Sequence, residues 1–202
     1  MRRMIAAGPP AKRPPHIGFA GASGCFATVA LVLLCALSPA AAADDQAIRL
    51  GEFIPVATPQ PAPQAQFTDL DGKSVSLADF QGKPAIINLW ATWCRPCLKE
   101  MPSLDRLQAG LKGKLAVAAV SQDRGGADKV EPFVKSLGLE SLQVYVDPTS
   151  GVGHAFGARG LPTSIVIDAR GRVVGRVEGA AEWDSETMRA VLRPLLTTIP
   201  EL

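Results

Sequence analysis

Residues 84–91, PAIINLWA, carry a single polar side chain, Asn88, and no charge. A strand of that composition has no face to show to water, so it belongs inside a sheet covered on both sides. LAVAAVSQ (115–122) repeats the pattern and predicts a second buried strand. Between them, Leu98, Met101, Leu104, Leu107 and Leu111 place one apolar stripe on a helix running from Arg95 to about Leu111. ADKVEPFVKSLG (127–138) predicts a helix closed by Gly138, and LQVYVD (142–147) a short strand. FTDLDGKSVSL (67–77) predicts a hairpin turning at Asp71-Gly72, and TSIVIDARGRVVGRV (163–177) another around Arg170-Gly171. EWDSETMRAVLRPLL (182–196) ends the pattern with a helical stripe through Met188, Val191 and Leu195. Strands alternating with helices, then a closing hairpin, make a mixed α/β sandwich.

The charge is unevenly placed. Formal net charge is +2 over 202 residues, but Arg2, Arg3, Lys12 and Arg13 all precede residue 44 and no acid does. The remaining 17 Lys and Arg against 19 Asp and Glu leave residues 44–202 at −2, which excludes the basic field that nucleic acid needs. Ile17 to Ala43 is uncharged, with a 12-residue apolar core, FATVALVLLCAL (26–37), before Ser38-Pro39 and the run Ala40 to Ala43. That is the layout of a secretory signal, and the 27 uncharged residues are also long enough to span a bilayer. Residues 1–43 are therefore a signal peptide or a membrane anchor, and either places the body outside the cytoplasm. PVATPQPAPQAQ (55–66), with four prolines and three glutamines, predicts a semi-rigid spacer, so residues 44–66 read as a linker and 67–198 as the domain. An irregular arm packed on the domain is the other reading of the same stretch.

Of the four cysteines, Cys25 and Cys35 fall within the front segment and only Cys94 and Cys97 in the body. One pair is too few for a disulfide-stapled secreted fold. The pair stands where the buried strand gives way to the helix, in WATWCRPCLKEMPSL (90–104). Unpaired N–H groups and the dipole at a helix start stabilise a negative sulfur, which makes Cys94 a nucleophile near neutral pH. Pro96 suits the first helical turn, where no N–H is needed. Cys97 lies on the same face, within disulfide reach, so the outer sulfur attacks and the inner one resolves the mixed disulfide. A zinc site would need further ligands; the one other candidate in the body, His154, sits in the glycine-rich loop GVGHAFG and leaves a tetrahedral set incomplete. A copper(I) site on two thiolates stays open, since soft thiolates suit that ion.

SLADFQGKPAIINLWATWCRPCLKEMPSL (76–104), GLPTSIVIDARG (160–171) and the tail GAAEW (179–183) together resemble the thioredoxin superfamily. Within it the chain is similar to the exported TlpA/ResA type of thiol–disulfide oxidoreductase, closest to the TlpA-like members, over about residues 67–196. The resemblance implies a thioredoxin-like fold: a central mixed sheet flanked by helices, with an N-terminal β-hairpin extension. It implies that Cys94 attacks and Cys97 resolves, and that Pro162 is the cis-proline facing the sulfurs, with the Leu161 backbone pairing with a substrate strand. Glu100, three residues after Cys97, reads on its own as a solvated helix charge; the resemblance makes it a third member of the site, shuttling a proton or raising a thiol pKa. Asn88 stands where thioredoxins carry a buried acid, which moves that duty towards Glu100. Pro102 matches a helix-kinking proline. Trp93 is expected to shield the pair and touch partners, while Trp90 and Trp183 read as packing.

Thioredoxin-like pairs range from about −120 mV for strong oxidants to about −270 mV for thioredoxin, a span of roughly 7 kcal/mol. Pro96 and the absence of a histidine between the cysteines favour the reducing end. The expected activity is reduction of cysteine pairs in periplasmic clients by a chain that is itself reduced by a membrane electron donor. The chain is expected to act as a monomer with no cofactor. The resemblance implies copper-delivery proteins and the copper-binding subunit of cytochrome oxidase as clients. Reduction of apocytochrome c during cytochrome c maturation, or a copper(I) chaperone using Cys94 and Cys97 as ligands, are the alternatives.

Overall fold

The computed structural model describes residues 51–197. Cys25, Cys35 and the expected targeting segment 1–43 lie outside them.

One eight-stranded mixed sheet organises the described residues, in the order β1-β8-β7-β4-β5-β6-β2-β3. Its centre is β4 (Ala85–Trp90), parallel to β5 (Ala116–Ser121) on one side and antiparallel to β7 (Thr163–Ile167) on the other. Every residue of β4, β5 and β7 is buried, as the unbroken apolar runs require. The chain leaves β4 into α1 (Arg95–Gly110), returns along β5, passes through α2 (Gly126–Leu137) and adds β6 (Gln143–Val146). Gly138 closes α2 in the left-handed conformation, φ 65°, as its position predicts. The hairpins also form as expected: β2 (Gln66–Asp69) with β3 (Ser74–Ser76), and β7 with β8 (Arg172–Glu178). Gly72 and Gly171 turn them at φ 82° and 75°, a region open to glycine. The last element is α4 (Glu186–Thr197).

The period-2 alternation of β4 divides the core. Ile86 packs with Leu104 and Leu107 of α1 and Met188 and Leu192 of α4, and Trp90 with Met101 of α1 and Val130 of α2. Ile87 and Leu89 face the other way, onto Phe67 of β2, Phe80 in a 3₁₀ turn (Leu77–Phe80), and Val152 of α3 (Gly151–Ala155). The result is the thioredoxin-like architecture the sequence predicts, with its β2–β3 hairpin.

Two stretches differ from expectation. The proline-rich residues do not form a spacer: Phe53–Pro61 is β1, antiparallel to β8, so regular structure begins before Gln66. At a sheet edge one side of the strand has no partner to receive N–H bonds, so prolines are tolerated there. The ladder also shifts register between Pro55 and Gln60, which takes up the irregularity. Opposite Pro55, Gly175 has no side chain to hold the strands apart, and Phe53 and Ile54 close over it. The second difference is GVGHAFG, read as a loop, which contains α3. Asp147 accepts from the N–H groups of Gly151 (3.1 Å) and Val152 (2.8 Å) and holds the turn at its start.

Candidate functional site

The site forms where β4 ends and α1 begins. Cys94 is the N-cap of α1, and its Sγ accepts from the Cys97 N–H at 3.3 Å. A disulfide joins the two, with Cα atoms 5.3 Å apart. Cys97 is fully buried and Cys94 retains 5% exposure, so a partner reaches Cys94 first. Pro96 stands in the first turn, and Pro102 is accommodated inside the helix. Trp93, 68% exposed, is the one large hydrophobic left open to solvent among the described residues. Trp90 is buried, against Phe133.

The Leu161–Pro162 peptide bond is cis. Leu161 packs against the buried cluster of which Cys94 and Cys97 are members. Trp93 and Leu161 both line an open cleft of about 640 Å³, together with the β5–α2 loop and His154 of α3.

Glu100 is not a solvated helix charge. It is 2% exposed on the inner face of α1, one turn beyond Cys97. Asn88 Nδ2 donates to its Oε1 at 2.8 Å; the Ala181 N–H (3.0 Å) and Trp183 Nε1 (3.1 Å) donate to Oε2. Burial pushes its carboxyl above the ordinary value, and the bonds from Ala181, Asn88 and Trp183 offset only part of that rise. Ser103 continues the clasp on the next turn, accepting from the Trp183 N–H at 3.0 Å. Asn88, on the strand before the pair, is thus coupled to Glu100, and also donates to Ser164 Oγ at 2.8 Å, while its own Oδ1 is buried with no partner. Trp183 does more than pack: its indole N–H holds the acid.

Asp123 was not singled out by sequence and belongs here. Its oxygens accept from the Thr92 N–H (2.7 Å), Thr92 Oγ1 (2.8 Å) and Ser121 Oγ (3.0 Å), and Lys129 Nζ lies 2.5 Å away. Burial would raise its pKa, but these bonds outweigh that and hold it below the usual carboxylate range. The register explains the meeting. Trp90 pairs with Ser121 in parallel strands, so Thr92 and Asp123, each two residues on, emerge side by side next to Trp93 and Cys94. That signal is readable in a sequence once β4 and β5 are known to be parallel neighbours.

A helix-capping sulfur with a buried second sulfur three residues on is an arrangement for thiol–disulfide exchange. Comparison with known proteins agrees. Residues 57–192 match the Redoxin family model. A thiol-disulfide oxidoreductase ResA from Bacillus thuringiensis subsp. konkukian is 39% identical over 135 residues, covering 66% of this chain and 76% of that one. A ResA from Bacillus cereus is 32% identical over 176 residues, 84% of this chain and 95% of its own. A solved thiol:disulfide interchange protein of the thioredoxin family from Chlorobium tepidum superposes with a TM-score of 0.57 at 29% identity, over 70% of this chain and 99% of that one. On the match over 57–192 and the extent of these likenesses, the chain belongs to the Redoxin family, as a thiol–disulfide oxidoreductase of the ResA type with a thioredoxin-like fold.

Proposed function

We propose that the chain is an exported reductant of cysteine pairs in client proteins, cycling between a Cys94/Cys97 dithiol and disulfide. The observation that carries the exchange chemistry is the unequal burial of the two sulfurs at the start of α1, with Trp93 exposed beside them; Pro96 and the absence of a histidine between the cysteines support the reducing direction. In the reduced protein the Cys94 thiolate attacks one client sulfur, and the other client sulfur leaves as a thiolate and takes a proton. The Cys97 thiol then loses its proton and attacks Cys94 Sγ, releasing the second client thiol. Two electrons and two protons pass to the client, and the Cys94–Cys97 disulfide remains. A client strand lies along the Leu161 backbone before cis-Pro162. Glu100, buried on the Cys97 side of α1, takes up or returns the Cys97 proton.

Residues 1–43 act as signal or anchor and place the body on the periplasmic side of the inner membrane, where a membrane donor re-reduces the pair. The clients are copper-delivery proteins or the copper-binding subunit of cytochrome oxidase. A Cys97→Ala variant holds its client as a mixed disulfide on Cys94, and mass spectrometry of the trapped species identifies it. Recovery of apocytochrome c would replace the copper clients; recovery of none, with a potential above about −180 mV, would overturn the reductant reading.

A further inference from the structure

The cleft between Trp93 and Leu161 is cationic on its rim. Arg124 on the β5–α2 loop and Arg159 before the cis-proline both line it and are exposed, and His154 lines it too. The acids nearby do not cancel them. Asp123 is buried and taken by Thr92, Ser121 and Lys129. Glu178 lies 3.2 Å from Arg176 and 3.8 Å from Arg159, whose side chain stays 74% exposed. Asp128, on the first turn of α2, is exposed but does not line the cleft. Gln122, also in the lining, keeps a buried Oε1 with no hydrogen-bond partner. Residues 44–202 as a whole are at −2, so the rim is a local reversal of the body's own charge.

We propose that this cleft selects clients whose reactive cysteine is flanked by acidic residues. It receives an extended acidic segment whose carboxylates meet Arg124 and Arg159 while its cysteine lies at Cys94. The inference rests on the reductase reading, which supplies the chemistry; the cleft supplies the choice of partner. Exposed charges of this kind act on encounter rate and specificity, and the effect fades with salt.

The test uses the reduced full chain and three peptides with the same internal disulfide, flanked by glutamates, lysines or glycines. The glutamate peptide is expected to be reduced about tenfold faster than the lysine peptide at ~20 mM salt, falling to under about twofold at ~0.5 M. Combining Arg124→Glu with Arg159→Glu is expected to reverse the order, and Lys112→Glu, on the turn after α1, to leave it. Equal rates at low salt, a preference that survives the double variant (and so belongs to other cations, such as Arg95 beside Cys94), or an equal effect of Lys112→Glu would overturn the proposal. Failure to reduce any peptide refutes the reductase reading instead. In that case binding of cysteine-free glutamate and lysine peptides to the oxidised chain, by fluorescence anisotropy, still tests the cleft: tighter glutamate binding lost in the double variant supports it, and equal binding refutes it.

Discussion

Replacing Glu100 by glutamine and by alanine separates what its charge does from what its hydrogen bonds do. Alanine leaves the Ala181 N–H and Trp183 Nε1 without an acceptor and one Asn88 N–H short of a partner, all in a buried pocket. At roughly 1–2 kcal/mol for each of the two fully orphaned donors, the loss is about 3 kcal/mol, or about 6–12 °C in Tm for a body of this size. Glutamine fits without those losses. Its Oε1 accepts from Ala181 and Trp183, and its amide donates to Asn88 Oδ1, the atom that has no partner now, once the Asn88 amide turns over. The charge then gives a pH signature. The Glu100 carboxyl is held above its ordinary value of 4.5, so its contribution is complete below that value and is lost as pH rises through the higher folded value. Glutamine cannot ionise. The stability difference between Glu100→Gln and wild type should therefore grow in favour of the variant as pH rises from 4 to 8, by about 1.4 kcal/mol for each unit that the carboxyl is raised. Denaturant melts of the oxidised proteins across that range measure it. A difference that stays constant with pH, or a glutamine variant as unstable as alanine at pH 7, would refute the reasoning.

Asp123 has the opposite slope: held low, it stabilises above its ordinary value of 3.8 and loses that contribution as pH falls through its lower folded value. Asp123→Asn should flatten the acid limb of unfolding and cost about 1–2 kcal/mol at pH 7, read by circular dichroism on acid titration. Trp93→Ala, at a side chain 68% exposed, should change stability by under about 0.5 kcal/mol yet slow reduction of a protein client several-fold. Gly175→Ala would put a methyl group on the Phe53 ring and 2.8 Å from the Ile54 carbonyl. It should cost about 2–3 kcal/mol and release the β1 amides to hydrogen exchange, with β4 still protected.

Much of this fold is legible because its central strands are buried on both faces, and PAIINLWA and LAVAAVSQ have no other home. The cysteine pair is legible for the same reason, since it stands where such a strand must end. The edge was not legible. Prolines 55, 59, 61 and 63 point away from a strand in any local reading; a place at the sheet edge, and the glycine at 175, some 120 residues later, make room for one. Glu100 could be singled out only through resemblance, because a charge at its position has an ordinary solvated explanation. Its burial depends on Asn88, Ala181 and Trp183, which no spacing rule links to it. Asp123 depends likewise on strand register, which composition does not state.

The Glu100 clasp also has an order in time. Ala181 and Trp183 close on that carboxylate across 81 and 83 residues of chain, whereas Cys94 and Cys97 are joined by a single turn. During synthesis the two thiols can meet as soon as α1 forms, but the enclosure around the acid waits for the residues after β8, and long closures are slow. A nascent chain halted before residue 181 would carry the sulfur pair with a solvated glutamate beside it. In such a chain, the environment that sets the acid's protonation would be the last part of the site to arrive.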